Sequence, residues 1–196
     1  PVATILYVAL AVRILAIFLN NSVFVLPDGL GDTQRFELRA FEWSQDGFLS
    51  ALDNYPGVSS FFISWVIAIF YSLFGQSELM AQSLSLFFGT VSVFLGWKLA
   101  LKLWDHRVAN KAGWFIALFP SLVLYSSLIL REAYIYFFLL IALNGVVAWT
   151  RDKNIKSFIL AFLGFVGAAL FHDAMIIGLI VFIIIIFLQN IKNLFV

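Results

Sequence analysis

Three places in this chain carry residue types able to do chemistry, and each adjoins a long apolar run. The first is Asp32, which follows the turn-forming Pro27-Asp28-Gly29-Leu30-Gly31 and opens the stretch Thr33-Gln34-Arg35-Phe36-Glu37-Leu38-Arg39-Ala40. The others are the pairs Arg131-Glu132 and His172-Asp173. Two readings of Asp32 stand side by side: an N-cap whose carboxylate accepts backbone N–H bonds, or a carboxylate held at a membrane surface and aimed at a lipid head group. Glu132 and Asp173 also suit the positive end of a helix dipole, and Arg131 suits an interfacial anchor. Brought into one compartment, carboxylates, a guanidinium and an imidazole make a site for a phosphate-bearing lipid, which needs a cation for the phosphate and a base for the acceptor.

Whether they share a compartment depends on the apolar segments between them. The chain is 63% hydrophobic and 12% charged, about half the charged fraction of an ordinary soluble domain. Apolar runs near the roughly 20 residues needed to cross a bilayer recur throughout, without the ten-residue alternation of a membrane barrel. The fold class is therefore all-α: a polytopic transmembrane helical bundle with an acidic outer loop that contains interfacial amphipathic helices. Seven segments qualify, at residues 4–26, 58–74, 79–101, 112–130, 133–150, 157–171 and 174–188. The first is too long for a signal-peptide core and no cleavage motif follows it. The chain reads as a single transmembrane domain over 1–196, the N-terminal part of something longer.

Charge sets the orientation. Residues 28–53 hold six acids against Arg35 and Arg39, a net charge of −4, and Phe36, Ala40 and Trp43 fall on one helical face there. Lys98, Lys102, Arg107 and Lys111 border one turn, Arg151, Lys153 and Lys156 another, and Lys192 follows the last segment. The positive-inside rule puts these basic regions in the cytoplasm. Counting spans from Arg107 then places Arg131-Glu132 and His172-Asp173 outside, with the acidic loop. Residues 58–74 have both ends on that side, so they are expected to dip into the outer leaflet or lie along it; the alternative is an ordinary span with the acidic loop in the cytoplasm. Arg13, inside the first segment, must pair or snorkel, because a charge at mid-span costs roughly 2.5–3.5 kcal/mol on insertion scales. Trp97, Trp104, Trp114 and Trp149 read as interfacial anchors.

No cysteine is present, so disulfides and thiolate chemistry are excluded. No phosphate loop, H-E-x-x-H or Cys/His metal spacing occurs, no metal ligands are assigned, and no cofactor motif is present. The basic residues form no continuous face, which argues against nucleic acid as a partner.

The order of several short motifs resembles the GT-C superfamily of membrane glycosyltransferases. The branch is that of the dolichyl-phosphate-mannose protein mannosyltransferases and lipid A aminoarabinose transferases. The motifs are Gly31-Asp32-Thr33-Gln34-Arg35-Phe36-Glu37-Leu38-Arg39-Ala40, then Tyr55-Pro56-Gly57, Ser72-Leu73-Phe74-Gly75-Gln76-Ser77, Leu101-Lys102-Leu103-Trp104 with Arg107-Val108-Ala109, Ala117-Leu118-Phe119-Pro120-Ser121, Tyr125-Ser126-Ser127 and Arg131-Glu132.

The resemblance implies transfer of a sugar from a polyprenyl-phosphate-linked donor to a hydroxyl of a protein, lipid or glycan acceptor, by inverting displacement, in a multi-pass cell (inner) membrane protein whose site faces away from the cytoplasm. It implies that Asp32 is the catalytic base and Glu132 the second acid, with Arg35, Arg39 and Arg131 as phosphate contacts. His172 and Asp173 join the substrate-binding residues. Many members have Asp-Glu where this chain has Asp32-Thr33, and an arginine where it has Ala81-Gln82-Ser83. The competing classes are a transporter or flippase for a lipid-linked sugar, and a polysaccharide polymerase. A transporter would need polar groups near the midplane, for which Arg13, Pro120 and Asn144 are the candidates.

Overall fold

The computed structural model describes residues 2–194, with side chains described for residues 2–185. Ten α-helices and no strand occur among the described residues: α1 (Val2–Ser22), α2 (Asp32–Ser44), α3 (Phe48–Asp53), α4 (Phe62–Phe74), α5 (Glu78–Leu103), α6 (His106–Leu118), α7 (Pro120–Tyr125), α8 (Glu132–Asp152), α9 (Ile155–Phe171) and α10 (Ile176–Leu194). Helices α1, α5 and α8 are long and apolar enough to cross a bilayer. At 1.5 Å per residue each reaches about 30 Å or more, the thickness of the hydrocarbon core.

The long helices alternate in direction. The Asn21 and Gln82 side chains exchange hydrogen bonds of 2.9 and 3.1 Å, which joins the C-terminal end of α1 to the N-terminal end of α5. Ser85 reaches the hydroxyl of Tyr134 at 3.5 Å, and Tyr134 stacks on Phe171 with centroids 4.9 Å apart. The N-terminal end of α8 and the C-terminal end of α9 therefore lie at that same end of the bundle. At the opposite end Lys102 donates to the Asn144 carbonyl at 3.0 Å, and Trp97 donates to Asn110 at 2.9 Å. There Arg107, Lys111, Arg151, Lys153 and Lys156 are exposed. The acidic segment and the basic turns thus occupy opposite ends. Lys192, expected with the basic group, lies outside the described side chains.

Helix α4 begins and ends at the acidic end. The Ser59 N–H bonds the Leu170 carbonyl, and Phe62 meets Phe171 edge-on at 4.9 Å. At its other terminus Tyr71 reaches Glu37 of α2. Thirteen residues span only about 20 Å, too short for the hydrocarbon core.

Helix α2 departs from the surface-bound picture. Its apolar face is spent on protein: Phe36 (3% exposed) and Ala40 (0%) pack with Ile63, Ile67 and Ala68 of α4. The Phe36 carbonyl also accepts from Ser64 at 2.8 Å.

The segment expected as one span at 112–130 is broken. Pro120 has no N–H to continue α6, Phe119 is extended, and α7 starts afresh. A continuous helix would pair the Ala117 carbonyl with the N–H of Ser121. Instead that carbonyl accepts from Arg13 at 3.1 Å. Arg13, fully buried, also donates to Ser126 at 2.8 Å and to Ala9 at 3.0 Å. Gly89 of α5 makes room for this contact, since a Cβ there would sit 2.1 Å from that of Ser126. The buried cation is therefore a strut that satisfies an irregular backbone at membrane depth.

Candidate functional site

The turn at residues 27–31 delivers α2 across the acidic end of the bundle. Gly31, not Asp32, occupies the N-cap position, and no side chain caps the helix. Asp32 is its first helical residue and is exposed. The N-cap reading of Asp32 is thereby replaced by a carboxylate in the first turn, favoured by the helix dipole.

One and two turns further along α2, Arg35 and Arg39 stand over the ring of Phe61 at 5.3 and 5.5 Å. Arg39 also pairs with Glu42 at 3.4 Å. Both arginines are exposed, so the stacking orients the guanidinium planes without removing them from water.

Arg131 and Glu132 open α8. The Arg131 Nε lies 3.5 Å from Glu132 Oε1, while Glu132 Oε2 is buried without a hydrogen-bond partner. His172 and Asp173 form the turn after α9, with His172 Nδ1 3.0 Å from Asp173 Oδ1 and the Ala174 N–H donating to that carboxylate. The three groups share one end of the bundle, connected through Phe61, Phe62, Phe171 and Tyr134. Among the described residues no hydrogen bond or ion pair links one group to another.

A cavity of about 720 Å³ opens between α1, α2 and α5, lined in part by Asn20, Asn21, Thr33, Gln34, Glu37 and Glu78. Glu37 is held in its wall by Gln76 at 2.8 Å and Tyr71 at 3.2 Å, both on Oε1. Burial, the neighbouring Glu37 carboxylate and the charge of Glu78 push the Tyr71 phenol well above its ordinary range, so it serves as a neutral donor. Glu37 and Glu78 lie 41 residues apart in the sequence, and only the fold brings them to one recess. The signal available was the i, i+4 pair Thr33–Glu37 bordering the apolar face of α2. Among the described residues no group of three or more His, Asp or Glu is placed to hold a metal ion.

Fold and site together define a polytopic integral membrane protein with a polar, acid-lined recess at one end. The family model for dolichyl-phosphate-mannose-protein mannosyltransferase matches residues 58–195. The chain belongs to that family, which makes it a membrane glycosyltransferase. The match covers α4 to α10, including Arg131, Glu132, His172 and Asp173, and begins after Asp32, Arg35 and Arg39. No curated protein and no solved structure matches the chain.

Proposed function

We propose that the chain transfers a sugar from a polyprenyl-phosphate-linked donor to a hydroxyl of a protein, lipid or glycan acceptor, with inversion at the anomeric carbon. The observation that carries this reading is the family match over residues 58–195. A sugar on a polyprenyl phosphate already has a good leaving group. One carboxylate to take the acceptor proton then suffices, with cations to stabilise the departing phosphate. Asp32 is the base: it is exposed, ionisable and carried at the start of a helix docked on the bundle. Arg131 is the leading phosphate contact, because its pairing with Glu132 is long and leaves donors free. Arg35 and Arg39 flank the approach. Glu132 orients Arg131, and His172-Asp173 closes the same end. The site faces the extracytoplasmic side of a cell membrane.

A transporter would place its polar groups around a midplane binding site in broken helices. Here the break at Pro120 is occupied by Arg13. The Asn144 side-chain nitrogen donates to the carbonyls of Leu95 and Leu140, at 3.0 and 2.9 Å, which ties it to the helices and leaves its Oδ1 alone without a partner among the described residues.

Incubating the full-length protein in lipid with a radiolabelled polyprenyl-phosphate sugar and a range of acceptors tests the reading. Label should pass to an acceptor in a form resistant to donor hydrolysis. Label that crosses the bilayer while still on its lipid would indicate a flippase instead.

A further inference from the structure

We propose that the cavity between α1, α2 and α5 is a subsite for the polyhydroxylated ring of a neutral sugar, separate from the place where the phosphate is held. The inference rests on the glycosyltransferase reading and deepens it. The cavity volume of about 720 Å³ lies within the range of roughly 300–1,000 Å³ typical of small-molecule sites. The only charged side chains lining it are Glu37 and Glu78, and no cation faces them from the wall. Two carboxylates in one recess repel a phosphate, whereas each accepts hydroxyl donors.

The remaining polar wall is amide and hydroxyl. Asn20, Asn21 and Gln34 offer both donors and acceptors, the pairing that ring hydroxyls require. Thr33 lines the same wall, is 2% exposed, and its Oγ1 has no hydrogen-bond partner. The Glu37 carboxylate is oriented before any ligand arrives, because Tyr71 and Gln76 both bind Oε1. Its second oxygen is left for the ligand. Helix α2 thus divides the work between two faces. Thr33, Gln34 and Glu37 face the cavity, while Arg35 and Arg39 are turned to Phe61, away from it.

The ring could belong to the donor or to a glycan acceptor, and two arms of one experiment separate these sources. The full-length protein in nanodiscs, with variants Glu37→Gln, Glu78→Gln and the double variant, is titrated with polyprenyl-phosphate hexoses (mannose, glucose, galactose) and with sugar-free polyprenyl phosphate. The same proteins are titrated with the matching methyl hexosides by saturation-transfer NMR. If the cavity takes the donor ring, at least one hexose donor binds tenfold or more tighter than the sugar-free lipid. The double variant then loses that advantage while holding the sugar-free lipid within twofold. If it takes an acceptor ring, the donor advantage survives and methyl hexoside affinity falls tenfold or more.

Both quantities unchanged within twofold in all three variants would overturn the proposal. So would tighter sugar-free lipid in the variants together with protection of a Gln34→Cys thiol by that lipid, since the cavity would then hold phosphate. Failure of the underlying reading looks different: sugar-free polyprenyl phosphate would bind no better than neutral polyprenol.

Discussion

At the residue scale the chemistry turns on which carboxylate takes the acceptor proton. Asp32→Asn should lower transfer by about 10² to 10⁴, the usual contribution of a general base, with insertion unchanged and stability lowered by no more than about 1 kcal/mol. The small stability effect follows from the structure: Asp32 caps nothing and is exposed, so its loss breaks no internal bond and removes only the interaction with the helix dipole. Turnover of labelled donor, measured beside a melting curve, reads both. If Asp32→Asn keeps full transfer and Glu37→Gln abolishes it, the base is the cavity carboxylate.

Arg13 makes the opposite case. It touches no exposed surface, so Arg13→Met should act on stability. It would orphan the Ala117 carbonyl, at about 1–3 kcal/mol, and remove the bond to Ser126, whose hydroxyl keeps the Leu122 carbonyl, at about 0.5–1.5 kcal/mol more. Gly89→Ala should give a smaller loss of the same kind, about 1–3 kcal/mol, by driving a methyl into Ser126. Detergent melting curves check both variants, and a melting point unchanged in Arg13→Met would remove the strut argument.

At the element scale, α8 and α9 make the closest helix contact that small residues allow. A Cβ on Gly145 would lie 2.4 Å from the Ala161 nitrogen, and one on Gly164 would lie 2.4 Å from the Ala142 nitrogen. Without a hydrophobic drive between helices in lipid, such backbone approach supplies the packing. Gly164→Leu should therefore separate α8 from α9, destabilising the bundle by more than the 1–3 kcal/mol of ordinary overpacking, since the obstacle is backbone. Leu163→Ala, on the exposed side of the same helix, is the control and should be near neutral.

Much of this level was legible from apolar run lengths and charged turns: α1, α5, α8 and α9 start and stop within four residues of the expected segments, while α10 starts two residues late and runs to Leu194, six past the expected end. The break at Pro120 was not, because a nineteen-residue, mostly apolar run with one proline reads as a single span. Only the structure shows Arg13, more than a hundred residues away, satisfying the freed carbonyl. The cavity was illegible for a related reason. Its lining comes from residues 20, 21, 25, 29, 30, 33, 34, 37, 38 and 77–79, and no periodicity within any one segment reveals that Glu37 and Glu78 meet.

At the scale of the whole molecule, the separation of charge predicts a topology that one labelling series can test. Arg107 and Arg151 stand at exposed helix ends on one side of the bundle, and Asp32, Glu132 and Asp173 stand at the other end, joined by the Asn21–Gln82 and Tyr134–Phe171 contacts. The positive-inside rule assigns the basic end to the cytoplasm. Helix α4 supplies the sharpest check, because an ordinary span at residues 58–74 would reverse every assignment before it. Since the chain has no cysteine, single cysteines can be placed one at a time at Asp46, Gln76, Arg107, Lys153 and Asp173. A membrane-impermeant maleimide added to intact cells should label positions 46, 76 and 173, while positions 107 and 153 should react only after the membrane is opened. Labelling of 46 and 76 from the same side is the decisive pair: it requires α4 to enter and leave at one surface, as its contacts with both Leu170 and Glu37 demand. Position 46 reacting only after opening, with 76 reacting in intact cells, would make α4 a crossing helix. The acidic helix would then lie in the cytoplasm, away from Glu132, and Asp32 could not be the base of a site that Arg131 shares.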